Sequence, residues 1–383
     1  MASFHGELAL GVVGGSRKEN ELRLALHPSH LPRIDAALRE RIALEEGYGG
    51  RFGVSDEELA SYVGGVCSRE ELIEECDVIV IPKPLPDDLL ELRPGQVVWG
   101  WPHCVQDELM TQNAIERRLT LIAWEAMNEW GADGRFGVHV FHKNNELAGY
   151  CSVLHALQLT GRTGQYGPSL RAAVISFGAT ARGAVTALHG LGVSDVTVLT
   201  QRDPAAVASP IPSIHLVHFD PTGPRGRPVA FPAPGPVEVP ALLAEHDIVV
   251  NCVLQDTDAP LVFVTRDELA RFASGTLVVD VSCDEGMGFE WARPTSFVDP
   301  MFTVGDGVKY YAVDHSPSFL WDSATWEISN ALLPHLPTVM GGPAAWDSDD
   351  TIGRAIEIRD GVIRNPKILT FQRRSPAFPH AAS

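Results

Sequence analysis

The stretch Ala172-Ala-Val-Ile-Ser-Phe-Gly-Ala-Thr-Ala-Arg-Gly-Ala-Val185 decides the fold. An apolar run over 172–177 reads as a buried strand. It enters a turn of small residues and leaves as a helix over 181–191, and a second strand follows at 195–200. Such a turn brings backbone N–H groups at a helix N-terminus close to a diphosphate, where the helix dipole favours negative charge. Ser176, Gly178 and Ala181 stand at the glycine positions of G-x-G-x-x-G/A, with Ala179 and Thr180 between them, so the first glycine is missing. The second strand ends in Thr200-Gln201-Arg202. NAD binders place an acid there for the ribose 2′-hydroxyl, whereas Arg202 is placed to meet a 2′-phosphate. NADP(H) is therefore favoured and NAD(H) stays open, with Asp203 as an acid that could rotate in.

Working outward, apolar strands are expected at 247–252, 276–282 and 310–313, with Val253 following the first of these at the cofactor site. Between them, 204–240 is rich in Pro and Gly and is expected to hold little regular structure beyond a strand over 215–219. Upstream, apolar strands are read at 8–14, 76–81, 96–101 and 119–124, and a helix over 30–46. A long helix over 144–160, with Tyr150 and His155 on a packing face, joins the two series. Continuous apolar strands separated by helix-length segments favour parallel sheets covered on both faces. The expected fold is α/β, two Rossmann-like doubly wound parallel-sheet domains with an interdomain cleft. The first is discontinuous, 1–145 plus 318–383, and holds substrate; the second, 146–317, binds the dinucleotide.

Composition narrows the function classes. Of the 383 residues, 45% are apolar and 21% charged, which excludes a disordered or fibrous chain. A net charge of −19 argues against nucleic acid and anionic membranes as partners. The six cysteines show no CxxC spacing, and the histidines, His139 and His142 among them, sit at irregular intervals, so no metal site is expected. With no basic-then-apolar start and no run of about 18 apolar residues, a cytoplasmic enzyme of small molecules is expected.

Four clusters carry chemistry: Arg17-Lys-Glu-Asn-Glu-Leu-Arg23, Ile81-Pro-Lys83-Pro, Gly100-Trp-Pro-His103, and Asp280-Val-Ser-Cys-Asp284. Ligands of open α/β sheets bind beyond the carboxyl ends of the strands, so Lys83 and His103 on successive strand ends can share one cleft. Arg23 is a candidate carboxylate clamp because its planar fork meets both oxygens. Histidine, with an ordinary pKa of about 6.5, makes His103 the candidate general acid/base. Lys83 is a candidate to polarise a carbonyl or imine, or to act as a base.

At these residues the sequence resembles the alanine dehydrogenase/transhydrogenase superfamily, which includes saccharopine dehydrogenase and carboxyethylornithine synthase. Glu21-Leu-Arg23-Leu-Ala-Leu is similar to the family's substrate-arginine segment, Lys83 and His103 match its lysine and histidine, and Leu121-Ile-Ala-Trp-Glu125 its acid-bearing strand. Residues 148–157 are similar to a segment of carboxyethylornithine synthase. Asp280 to Glu290 resembles the loop at the nicotinamide. The resemblance implies that Glu125 tunes Lys83 and that Asp284 positions the nicotinamide ribose or the amine, a helix N-cap being its other reading. It also implies that His315, within Asp314-His-Ser-Pro-Ser318, contacts nicotinamide or substrate. Asp284-Glu-Gly-Met-Gly and the missing first glycine depart from alanine dehydrogenases and favour opine-type chemistry. In that reading NADPH reduces the imine formed by a 2-oxo acid such as pyruvate and the amine of an amino acid of the ornithine or lysine class. The alternatives are an NAD-linked alanine-type dehydrogenase using ammonia and a non-catalytic dinucleotide-binding regulator. Small-molecule partners and a homo-oligomer are expected.

Overall fold

A computed structural model describes residues 7–202 and 211–382; Asp203 and the first part of the 204–240 stretch lie outside the described residues. The chain forms two compact units, one built from the chain through Phe141 together with Trp321 onward, the other from His142–Leu320.

In the first unit six strands run parallel: β1 (Leu10–Val12), β2 (Ile42–Glu45), β3 (Gly65–Cys67), β4 (Val78–Ile81), β5 (Val97–Gly100) and β6 (Thr120–Ala123). Their order is β3-β2-β1-β4-β5-β6, and the antiparallel pair Ile356–Arg359 and Val362–Ile363 extends the β6 side. The second unit repeats the plan with β7 (Arg171–Ile175), β8 (Asp195–Thr200), β9 (His215–Asp220), β10 (Ile248–Asn251), β11 (Leu277–Asp280) and β12 (Val308–Tyr311), ordered β9-β8-β7-β10-β11-β12. Both sheets have the 3-2-1-4-5-6 order of doubly wound folds, whose ligand crevice opens where the winding reverses, beyond the first and fourth strands.

The sequence dictates this arrangement through burial. Val78 and Val80 enter one apolar core while Ile79 and Ile81 enter another, so β4 is covered on both faces. Ala172 and Val174 likewise part from Ala173 and Ile175. A strand with apolar residues at every position can only be stable between two layers.

Two expectations fail. The helix read over 30–46 is instead a 3-10 turn (Pro28–Arg33), a four-residue helix (Ala36–Arg39) and β2. Pro32 breaks the helical hydrogen-bond ladder, and buried Ile42 and Leu44 alternate with half-buried neighbours, a strand period. The 204–240 stretch holds more than one strand: Val229–Phe231 and Val237–Glu238 add antiparallel strands beyond β9, and a helix follows at Val239–Leu243.

The helix α1 (His142–Thr160) opens the second unit and crosses α2 (Ala179–Gly190), which follows the small-residue turn. Glycines set the closeness of that crossing. A Cβ on Gly183 would stand 1.7 Å from the Glu146 carbonyl oxygen, and one on Gly149 would stand 1.9 Å from that of Thr180. Both obstacles are backbone, so neither can swing aside. Gly183→Ala is expected to destabilise the protein by on the order of 3 kcal/mol, read as a lower urea midpoint. An unchanged midpoint would show that the crossing is looser than described.

Candidate functional site

The first site residue hangs on the loop after β1. That loop is pinned at its start: Gly14 N–H donates to Glu45 (2.6 Å), and the Arg69 guanidinium donates to the Gly15 carbonyl (2.9 Å). Arg17 N–H donates to both oxygens of Asp88 at 3.2 Å. Farther along, Leu24 N–H donates to the Thr325 hydroxyl (2.9 Å). Between these anchors Arg23 is only 4% exposed. Its Nε and Nη2 donate to the two oxygens of Glu21 at 2.8 and 2.5 Å, and its guanidinium lies 4.8 Å from the centre of the Trp101 ring. The arginine expected as an open clamp is thus a buried cation already forked onto a carboxylate. Sequence reading placed Glu21 in the motif without foreseeing this role.

Lys83 leaves the end of β4 between Pro82 and Pro84, which fix the chain direction there, and is half-buried. His103 leaves the end of β5 in the left-handed region (φ 47°), which is strained for a residue bearing a Cβ. Its N–H donates to Glu125 Oε1 at 2.7 Å, and the same oxygen lies 3.8 Å from its Nδ1. Glu125 itself follows β6. Lys83, His103 and Glu125 therefore come from three neighbouring strands, β4, β5 and β6, at their carboxyl ends.

Burial, followed by repulsion from Glu357, pushes the Glu125 carboxyl up to about 8, against the pull of Lys83 and of the backbone donors. Glu357 sits on the antiparallel strand beside β6, is 5% exposed, and is also pushed up by burial. Its Oε1 accepts from Asn365, but Glu125 Oε2 and Glu357 Oε2 are buried with no hydrogen-bond partner among the described residues. Two such carboxyls near a lysine favour keeping a proton between them. No local motif marks Glu357 in the sequence; its one signal is a carboxylate between Ile356 and Ile358.

In the second unit the missing glycine is replaced by conformation. Ser176 adopts φ 89°, the region a glycine would take, and its N–H donates to the Leu199 carbonyl (2.8 Å). Gly178 caps α2, and a Cβ added there would meet only the Ser176 hydroxyl, at 4.0 Å. No packing among the described residues requires that glycine; the open space over the helix N-terminus fits a diphosphate. Ala179 and Thr180 begin the helix, and Ala181 is buried in the core. At the end of β8, Thr200 is 2% exposed and its hydroxyl accepts Arg202 N–H (3.1 Å), while Gln201 and Arg202 are exposed. Val253 follows β10, its carbonyl accepting from the Ser282 hydroxyl (2.6 Å).

Asp284 begins a turn closed by Met287 N–H (3.2 Å); no helix follows, which removes its N-cap reading. Cys283, just before it, is left-handed (φ 60°). Asp280 organises this loop: Oδ1 accepts from Asn251 (3.0 Å), Ser282 N–H (3.2 Å) and Cys283 N–H (3.3 Å), and Oδ2 from the Tyr310 hydroxyl (2.7 Å). Burial nonetheless raises Asp280 to about 6. His315 is buried, its Nδ1 2.7 Å from Asp314 and its ring edge-on to Phe297. His155 stacks on Phe319 and meets the Tyr311 hydroxyl at 3.1 Å, a packing role as expected.

Family models described as alanine dehydrogenase/PNT match residues 12–144 (N-terminal domain) and 231–366 (C-terminal domain). The Ser176–Ala181 turn and the Thr200-Gln-Arg strand end lie between the two spans. An N(5)-(carboxyethyl)ornithine synthase of Clostridium botulinum is 24% identical over 83% of this chain and 90% of its own length. An alanine dehydrogenase of Halomonas elongata is 26% identical over 94% of each. Among solved structures an L-alanine dehydrogenase aligns with a TM-score of 0.73 at 21% identity, covering 95% of this chain and 99% of that one.

A carboxyl with a higher pKa in the fold than in the unfolded chain binds an extra proton when folded. Its effect on stability is therefore unfavourable above its ordinary value of 4.5 and grows as pH rises toward about 8. The melting temperature is expected to fall across that window, and Glu357→Gln, by removing the repelling charge, to flatten the fall. Thermal melts of both proteins at about pH 5 to 8 check this; parallel slopes would mean the two carboxyls do not interact.

Proposed function

The chain belongs to the alanine dehydrogenase/PNT family, and on that premise we propose that it joins the amine of an amino acid of the ornithine or lysine class to a 2-oxo acid, pyruvate being the simplest, with NADPH as reductant. Family members are NAD(P)-dependent oxidoreductases acting on CH–NH2 or CH–NH groups. The observation that carries the proposal is the convergence of Lys83, His103 and Glu125 at the ends of β4, β5 and β6, with the Arg23 loop leaving the adjacent β1. The Thr200-Gln201-Arg202 ending, with no acid at Thr200, supports NADP(H) over NAD(H).

Condensation forms a carbinolamine, which loses water to give an imine. Arg23, backed by Trp101, takes the oxo-acid carboxylate by exchanging its Glu21 partner for it. Lys83 polarises the carbonyl and later the carbinolamine oxygen. His103, held in its strained conformation by Glu125, delivers the proton that makes the departing oxygen water. Glu125, kept protonated with Glu357, adds no negative charge that would trap the Lys83 ammonium. A reduced dinucleotide, when bound, would supply hydride for the imine carbon. Ser176, Gly178, Ala179, Thr180 and Ala181 would hold its diphosphate and Val253 its neighbouring edge. Asp284 and His315 would orient the nicotinamide end.

The Halomonas elongata relative supports a second reading, an alanine-type dehydrogenase that takes ammonia as the amine. NADPH oxidation with pyruvate plus ornithine or lysine, set against pyruvate plus ammonia, separates the two. Turnover with the amino acid, giving a secondary amine by mass spectrometry, is expected; turnover with ammonia alone would overturn the proposal. Tight dinucleotide binding without turnover on any amine would favour the non-catalytic alternative. His103→Ala is expected to lower kcat by roughly 10²- to 10⁴-fold while leaving dinucleotide binding intact.

A further inference from the structure

The register of the second sheet puts His218 of β9 directly beside Thr200 of β8, the position where an acid would accept a ribose 2′-hydroxyl. The strand Val229–Phe231 flanks β9 on its other side and pairs Phe231 with His218. The two rings stack, centroids 5.7 Å apart and planes 23° from parallel. A cavity of about 370 Å³ opens at this end of the strands, lined by Gln201, His218, Phe219, Asp220, Pro221 and Phe231. His218 Nδ1 is buried and has no hydrogen-bond partner among the described residues. Phe231 keeps 46% of its surface exposed, an apolar wall suited to the flat face of a purine. A buried polar nitrogen without a partner is costly unless something enters to meet it.

Among the described residues lining the cavity the one carboxylate is Asp220, and one of its oxygens is already engaged. Asp220 Oδ1 accepts both the N–H and the hydroxyl of Thr222, each at 2.8 Å. Those bonds, with help from His218, hold the Asp220 carboxyl below its ordinary range.

We infer that His218 is a specificity-determining residue for the dinucleotide, meeting with Arg202 the phosphate on the adenosine ribose and so selecting NADP(H). The inference rests on the dinucleotide-binding part of the reading above. It goes beyond that reading in naming a histidine on the third strand, out of sequence range of the Gly-rich turn. Histidine and arginine at the ends of two neighbouring strands can donate to a phosphate dianion from two sides, whereas a ribose hydroxyl needs an acceptor there.

Calorimetry on the full chain with adenosine 2′,5′-bisphosphate and with 5′-AMP tests it without turnover. The wild-type protein is expected to prefer the bisphosphate. His218→Gln exchanges the imidazole for an amide; it should weaken the bisphosphate roughly ten- to hundredfold, the loss of one hydrogen bond to a charged group, and leave 5′-AMP within about twofold. Arg202→Gln should act alike, and His218→Arg should restore the preference. Equal weakening of both ligands by His218→Gln would reduce the residue to packing on Phe231 and overturn the inference. A wild-type protein that binds 5′-AMP as well as the bisphosphate, with Asp220→Asn weakening 5′-AMP, would assign the cavity to a free ribose hydroxyl. That result overturns the inference and leaves dinucleotide binding standing. Binding of neither ligand would sink both.

Discussion

A parallel strand covered on both faces has no place along its length for a charge. In β4, β5, β6, β10 and β11 nearly every residue is apolar and every one is buried, and polar chemistry begins only where the strands stop. Lys83 comes two residues after Ile81, His103 three after Gly100, Glu125 two after Ala123, and Asp280 is the last residue of β11. Neighbouring strands lie about 4.8 Å apart, so groups expelled from adjacent strands at the same end are gathered whether or not they are near in sequence. Desolvation of the strand interior thus composes the site, and the doubly wound strand order decides which ends are neighbours.

That constraint also explains what could be read from sequence. Most of the longer apolar strands of both sheets are legible, and a charge after an apolar run marks Lys83, His103 and Asp284 as candidates, whereas Glu125 comes from the family resemblance. Residues 30–46 were misread because a short buried strand, Ile42–Glu45, lies against a four-residue helix whose neighbours blur its period. The short strands Gly65–Cys67, Val229–Phe231, Val237–Glu238, Ile356–Arg359 and Val362–Ile363 are not legible because two to four residues carry too little periodicity. Glu357 and His218 escaped for a different reason. Each is placed by a strand pairing, and register between distant segments is absent from local pattern.

The buried carboxylates show how differently one chemical group can be accommodated. Asp280 is ringed by donors from Asn251, Ser282, Cys283 and Tyr310, and Asp88 by the N–H groups of Arg17 and Leu85 and by the Arg69 guanidinium. Both therefore act as anchors, fixing a loop through the directions of their lone pairs. Half-buried Glu125 and buried Glu357 each keep one enclosed oxygen with no donor among the described residues, and like charges close together oppose joint ionisation. This pair is suited to holding a proton beside Lys83 rather than to holding a loop.

The small-residue turn carries the same logic to the dinucleotide end. A glycine in such a turn can serve the backbone, by reaching positive φ, or serve a ligand, by leaving room above the helix N-terminus. This chain separates the two duties. Where only conformation is at stake it places Ser176 at φ 89° and accepts a left-handed strain of roughly 1–2 kcal/mol. Where space is at stake it keeps Gly178, although φ there is an ordinary −84° and none of the described residues occupies the place of a Cβ. A fold indifferent to ligands would have the reverse preference, relieving the strained position and filling the open one. The pattern is what a diphosphate pressed against the start of α2 requires, and it supports a dinucleotide seat despite the departure from the glycine spacing.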